Sequence, residues 1–532
     1  MLDRAWLRRL VVVGVVLAAG VAVPVVGERQ ALSELSARGL TWTGVHRSAQ
    51  AWGVDGVQGP GLSVEVLRVP LGWPVEVVLD GVRVDVLAQR DAAAGGAGSP
   101  GGASSVDLAL RDVTLLAGAV VIGEGLTGSR RNGRLALGGA ATEIQLADGL
   151  LRVSAARESP FSELAGQLDV QAELAPDGTL KATVIGRELV LRHPLLAARG
   201  LPLGEVRVEL SRVDEEVLGP LYVGDLSLSL QAVCDPACTI SLTLPETPAE
   251  QALAPLAPLV PELRRARRID GAIRAGVTVA QQDEGWTVID ADLSVEGLAV
   301  DGAVQDPDLL RFGTFAYRVR DADGDALVRQ SGEGTDDWVP LHRVSPWVIE
   351  AILASEDAAF RRHRGYDPEQ LQEALAADLA AGAVVRGGST LSQQLAKNLF
   401  LTPERTLVRK VRELLLAVEL DRVLGKSRML ELYVNVVEWG PEIWGLRQAS
   451  DRYFLKQPAR LQPHEAAFLA AILPAPRTFY EDWYLTGLAA RYKVGSVLTN
   501  MADLGAMSHR QAARWTREPL RFVPPPRATQ GP

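Results

Sequence analysis

From about Gly61 to Val304 apolar residues recur at every second position, and past Asp336 they recur at every third or fourth. That single change of period restricts the chain to a sheet followed by helices. The alternation is plain in Val82-Arg83-Val84-Asp85-Val86 and in Glu205-Val206-Arg207-Val208-Glu209-Leu210, which read as half-buried strands. Asp80-Gly81 and Asp177-Gly178 fall between such runs and predict tight hairpins, and Asp270-Gly271 opens another, because these residues tolerate positive φ. The stretch 91–105, DAAAGGAGSPGGASS, has too few apolar side chains to offset its ordering entropy and predicts a disordered insert. This β-rich region carries no cluster of acids, bases or nucleophiles, and its histidines, such as His46 and His193, stand alone.

At 532 residues the chain exceeds what one hydrophobic core supports, which predicts two folded domains and an anchor. The anchor is expected at Leu10 to Val26, an uncharged run behind Arg4, Arg8 and Arg9 that approaches the length of a membrane-crossing helix. The flanking arginines place the N-terminus in the cytoplasm and the rest of the chain outside. A cleaved signal peptide ending near Gly20-Val21-Ala22 is the competing reading. The formal charge of −10 argues against a nucleic-acid partner, which needs a basic face. Two cysteines, Cys234 and Cys238, are too few for a metal site; an oxidising exterior favours a small disulfide ring between them, with two unpaired, half-buried thiols as the alternative.

The second region carries regular helix punctuation: Ser345-Pro346, Asp367-Pro368 with Gln370, and Thr402-Pro403 each predict a helix start, and Gly382 and Gly425 predict stops. Strand content there is expected to be near zero. On the first helix Ile349, Ile352, Leu353 and Phe360 form an apolar stripe, and Glu356 falls on it. A carboxylate so placed needs either a buried partner or a function, because desolvating it alone costs several kcal/mol (roughly). Partial desolvation would raise its proton affinity, as a general base near neutral pH requires. Gly387-Gly388-Ser389-Thr390 leads into a helix that Thr390 and Gln393 cap. Arg409, Lys410 and Glu413 share one helix face, which by spacing alone reads as a solvated salt-bridge face. Lysine usage favours something more: the chain has six lysines among 55 basic residues, and five of the six lie in the helical region. Lys397 and Lys410 are therefore candidate point charges for phosphate.

Taken in order, these motifs resemble the peptidoglycan glycosyltransferases. Glu356-Asp357 through Phe360, His363 and Gly365 is similar to the signature EDxxFxxHxG. Gly387 to Asn398, Arg409-Lys410-Val411-Arg412-Glu413, and Lys426 through Glu431-Leu432-Tyr433-Val434-Asn435 resemble the three that follow. Val437 to Gly440 and Arg452 to Lys456 extend the likeness, with Leu455 standing where the family usually has glycine. The single-activity members look closest, since only a short tail, 521–532, follows and leaves no room for a transpeptidase.

The resemblance adds a mostly α-helical, lysozyme-like glycosyltransferase domain (339–520) to what the residues themselves predict, an N-terminal transmembrane helix (1–28), a β-rich antiparallel domain (29–305) and a connecting segment (306–338), for a multidomain fold of α and β type. It implies polymerisation of lipid-linked disaccharide-pentapeptide, lipid II, into β-1,4 glycan strands, with inversion and release of undecaprenyl pyrophosphate. Glu356 would be the base and Glu413 the second carboxylate. Substrate binding would fall to Asp357, His363, Ser389, Thr390, Gln393, Gln394, Lys397, Arg409, Lys410 and Glu431, with Lys397, Arg409 and Lys410 on the pyrophosphate, Asp357 and His363 supporting the first helix, and Glu431 in the shell around the cleft. Leu399, Phe400 and Leu401 would dip into the bilayer. A divalent cation, Mg or Mn, and no organic cofactor are implied. So are separate transpeptidases or cell-wall synthesis proteins as partners, and an inner-membrane location with the C-terminal domains in the periplasm. The repeated strands of the β-rich region, such as Asp292 to Val300, are similar to AsmA-like envelope proteins, which would imply an apolar groove for lipid or protein; a spacer and docking module fits the same residues. Two rivals remain: a lytic glycosidase of similar fold, which would have little use for Arg409 and Lys410, and a non-catalytic envelope scaffold.

Overall fold

The computed structural model describes residues 44–48, 51–59 and 62–70, and from 108 to 524 all but short stretches, the longest being 382–387. These residues divide into two compact units, one comprising the chain to Thr247 with Ile273–Asp292 and Leu379–Ala383, the other comprising Pro248–Ala272, Leu293–Asp378 and the chain from Val384 onward. The second unit thus takes in residues 248–272 and 293–305, upstream of the change of period.

The first unit is built on a meander. Its strands follow one another in chain order within a 13-stranded sheet, and three further strands, Gly44–Ser48, Ala51–Gly59 and Leu62–Pro70, form a small sheet of their own. Alternation is the cause: on the strand Leu201–Val213, Val206, Val208 and Leu210 are buried while Glu205 and Arg207 are exposed. With Val184, Leu221, Leu230 and Ile240 these side chains make one apolar layer, each contributing about 1.5–3 kcal/mol by burial. Cys234 and Cys238 are register partners on two adjacent antiparallel strands, and Cys238 is disulfide-bonded. Asp270-Gly271 does not open a hairpin. It lies within the strand Arg268–Gln282, where Gly271 takes φ +107° and a Cβ would strike the backbone of Leu298. Asp80-Gly81, Asp177-Gly178, Val82 to Val86 and the insert 91–105 lie outside the described residues.

In the second unit, helices surround one large core containing Ile352, Phe360, Leu395, Tyr433, Trp439, Phe468 and Leu498. Strand is not absent: Thr314–Arg320 pairs with Ala326–Gly332 inside the segment expected to be a mere connector, and Glu438–Gly440 pairs with Ile443–Trp444. Helix starts follow the punctuation with two changes. Pro346 opens a helix, but the Ser345 hydroxyl donates to Leu461 O at 2.8 Å and leaves the helix end uncapped by its side chain. Thr402-Pro403 starts nothing described; the helix begins at Leu407, and Thr406 caps it by accepting from Arg409 N–H. Gly425, at φ +71° and ψ 164°, breaks the long run Leu407–Val436 into two helices as expected. Gly382 itself lies outside the described residues, one position beyond the end of the helix Pro368–Ala381. At Leu455 the chain is left-handed, φ 51° and ψ 45°, so the turn keeps a glycine-like conformation with leucine in it, at a cost of roughly 1–2 kcal/mol.

The expected fold class needs a correction. Among the described residues no helix is long and apolar enough to cross a membrane. The longest, Leu407–Val436, is broken at Gly425 and carries Arg409, Lys410, Arg412, Glu413, Glu419 and Asp421, too many charges for hydrocarbon. The run Leu10 to Val26, where a transmembrane helix was expected, lies outside the described residues. What the described residues form is an antiparallel sheet followed by a mainly helical unit. Leu399 is buried, and Phe400 and Leu401 pack against the helical core.

Candidate active site

Glu356 is the last residue of the helix Pro346–Glu356, and Asp357 is the first outside it, at φ −162°. The apolar stripe therefore stops short of Phe360, which reaches the core from the turn that follows. Ending the helix there sends the two neighbouring carboxylates in different directions. Asp357 is buried, accepting the Leu391 N–H at 2.9 Å and His363 Nε2 at 2.9 Å. Glu356 stays half-exposed.

The Asp357 contact fixes the start of the next helix, Leu391–Phe400. Thr390 and Gln393 complete its capping box: Thr390 Oγ1 accepts Gln393 N–H at 3.2 Å, and Gln393 Oε1 accepts Thr390 N–H at 3.0 Å. Thr390 also donates to Gly365 O at 2.7 Å. Gly365 sits at φ +92°, where a Cβ would lie 2.7 Å from the backbone of Ala417 and Val418, so only glycine lets that loop touch the Leu407–Val436 helix. Thr390 and Gln393 are both buried and use their polar atoms on this scaffold. His363 stacks edge-on against Phe360, and its Nδ1 has no partner among the described residues.

A helix aimed this way brings Gln394 and Lys397, one turn apart, to Glu356. Gln394 Nε2 donates to Glu356 Oε2 at 3.0 Å, and Ser355 Oγ donates to Oε1 at 3.1 Å. Burial raises the proton affinity of Glu356 above the ordinary carboxylate range; the Gln394 and Ser355 bonds and the Lys397 charge hold it back, and Asp357 adds to the rise. Lys397 keeps an exposed edge. Even so, desolvation and the Arg409 charge pull its ammonium below the usual lysine value, against the opposing pull of Glu356.

Arg409, Lys410 and Glu413 do not form a solvated face. Glu413 and Arg409 are buried and directly paired, and Lys410 Nζ lies 3.1 Å from Glu413. Lys410 also donates to the Ser389 hydroxyl, while Ser389 O lies 3.5 Å from Gln394 Nε2. One network therefore runs from Glu356 through Gln394, Ser389 and Lys410 to Glu413 and Arg409. Desolvation, with Arg409 and Lys397 as like charges, pulls Lys410 down to about 8 against the opposing charge of Asp378. The buried Nε of Arg409 has no hydrogen-bond partner among the described residues. Three cations against Glu413 make a site for a multiply charged anion beside a carboxylate with raised proton affinity.

Glu431 is not part of this network. It accepts the Leu341 N–H at 2.9 Å and pairs with Arg428, while Asn435, one turn on, binds both backbone groups of Val339. Lys426 lies over the Phe360 ring at 4.3 Å. A residue without an assigned role from its motif position is Tyr433, whose hydroxyl donates to Gln394 Oε1 at 2.8 Å. Helical spacing carried the signal: Tyr433 lies about 200° around the axis from Glu431, whereas Asn435 lies on the same side as Glu431. Among the described residues no group of three or more His, Cys, Asp or Glu side chains is disposed to hold a metal ion. Glu413 is already held by two cations, so the residues present do not offer the implied divalent cation a protein-built site.

The transglycosylase family profile matches residues 323–502, which contain this whole network. A biosynthetic peptidoglycan transglycosylase of Chromobacterium violaceum is 45% identical over 157 residues, 30% of this chain and 69% of the relative. Proteins of the same name from Aromatoleum aromaticum and Laribacter hongkongensis are each 47% identical, over 29% and 27% of this chain and 66% and 62% of their own lengths. The chain thus spans about two thirds of the length of these curated relatives. On that identity and coverage, the chain belongs to the biosynthetic peptidoglycan transglycosylase family of glycosyltransferase enzymes.

Proposed function

We propose that this enzyme polymerises a lipid-linked disaccharide precursor into β-1,4 glycan strands at the cell envelope, with Glu356 as general base. The observation that carries the reading is the single network joining a base of raised proton affinity to Lys410 and Arg409, with the charge of Lys397 acting on all three. Glu356 takes the proton of the acceptor sugar's 4-hydroxyl as that oxygen bonds to the donor's anomeric carbon. The bond from that carbon to the lipid pyrophosphate breaks, and its electron pair leaves on the pyrophosphate. Lys397, Lys410 and the charge of Arg409 meet the charge where it develops. Asp357, His363, Thr390 and Gln393 hold the two helices that carry the base and Gln394. A separate transpeptidase would cross-link the strands.

The pH profile of polymerisation tests the assignment. Activity requires Glu356 ionised and Lys410 protonated, so kcat/KM should rise with pH through a value above the ordinary carboxylate range and fall again near 8. Lys410→Arg, which keeps the charge at all working pH, should move the alkaline limb upward. An alkaline limb that stays in place would remove Lys410 from the pyrophosphate site.

A further inference from the structure

We propose that Tyr433 is a positioning residue for the base: its hydroxyl locks the Gln394 amide in the one orientation that donates to Glu356. This rests on the reading of Glu356 as general base. A glutamine amide is nearly symmetric in shape, so packing alone does not choose which end faces a carboxylate. Ionised Glu356 can only accept, and needs the NH2 end. The opposite orientation would set Oε1 against the carboxylate.

Ser389 O, 3.5 Å from Nε2, touches the NH2 end only weakly, and Tyr433 breaks the symmetry from the other end. It is 1% exposed, fixed in the helical core, and makes no other side-chain hydrogen bond among the described residues. If Gln394 turned over, the Tyr433 proton would be buried without an acceptor, which folded proteins avoid. The amide is therefore held from both ends, at 2.8 Å by Tyr433 and at 3.0 Å by Glu356. Burial and the Glu356 and Asp357 charges keep the Tyr433 hydroxyl protonated, so it remains a donor at every pH at which the enzyme works. The helix break at Gly425 lets the second half of the Leu407–Val436 run direct Tyr433 toward Gln394 while Glu431 and Asn435 clamp residues 339–341 from its other side.

The test follows Glu356 itself. In full-length protein labelled with δ-13C glutamate, the Glu356 resonance is the one lost in Glu356→Gln. Its titration midpoint in Tyr433→Phe should move up by about half a unit to one unit, the equivalent of one weakened hydrogen bond. The acid limb of kcat/KM should move with it, making the loss of activity largest at low pH. Phe keeps the buried ring; Gln394→Ala, at a half-buried site, makes the same comparison without touching the core. It should shift the midpoint at least as far, and adding Tyr433→Phe to it should shift it no further. An unmoved midpoint in Tyr433→Phe, or two shifts that add, would overturn the proposal. A midpoint that moves while the rate profile does not would leave the Tyr433 lock standing and remove Glu356 as the base.

Discussion

Glu356→Gln is expected to lower the rate of glycan polymerisation by about 10²–10⁴-fold, the range that general-base catalysis supplies, with an unchanged melting temperature. The amide has the shape of the carboxylate but cannot take the acceptor's proton. Its fold should survive because the carboxylate contributes little to stability. Burial already disfavours its charged form, and its hydrogen bonds, from Gln394 and Ser355, lie at the half-open end of the helix. The measurement is polymer length and yield on a gel, with thermal unfolding alongside. Wild-type yield from the variant would show that another group takes the proton.

Glu413→Ala should behave differently, losing stability and activity together. Glu413 lies buried between Arg409 and Lys410, and removing one partner of a buried pair leaves an uncompensated charge, at a cost of about 3–5 kcal/mol. The same change frees Arg409 and Lys410 to repel each other and Lys397, so the anion site should loosen even at temperatures where the variant stays folded. Thermal unfolding should show a clear fall in Tm, and initial rates below that Tm should show a raised KM for the lipid-linked donor. A variant with wild-type Tm would mean that the pair is solvated after all.

The contrast between these carboxylates shows what the sequence could convey. Local features were legible because they depend on neighbours in the chain: the Thr390–Gln393 box, the Gly425 break and the placement of Glu356 on an apolar stripe all follow from spacing. The helix end at Glu356 was not, since Asp357 leaves the helix to bind Leu391 N–H, 34 residues away. Arg409, Lys410 and Glu413 read as a surface face because charged residues at that spacing usually are one; what buries them is the packing of other helices, which periodicity does not encode. Thr402-Pro403 carried the stronger start signal, yet Thr406 is the residue whose hydroxyl reaches a helical N–H. Tyr433 was visible as a motif letter, but its partner Gln394 lies 39 residues away.

Leu455 shows the converse. The departure from glycine was legible, and the backbone nevertheless takes the left-handed conformation. The chain accepts the strain there, in a turn whose neighbours Tyr453 and Phe454 are anchored in the aromatic core. Identity of a residue and conformation of its backbone are separate facts at such a site.

The direction of the reaction is read by incubating purified protein with both lipid-linked disaccharide precursor and preformed glycan strands. In wild type the precursor should be consumed and the strands should lengthen, and neither should happen in Glu356→Gln. Strands that shorten while the precursor stays intact would contradict polymerisation and make the site a glycan-cleaving one.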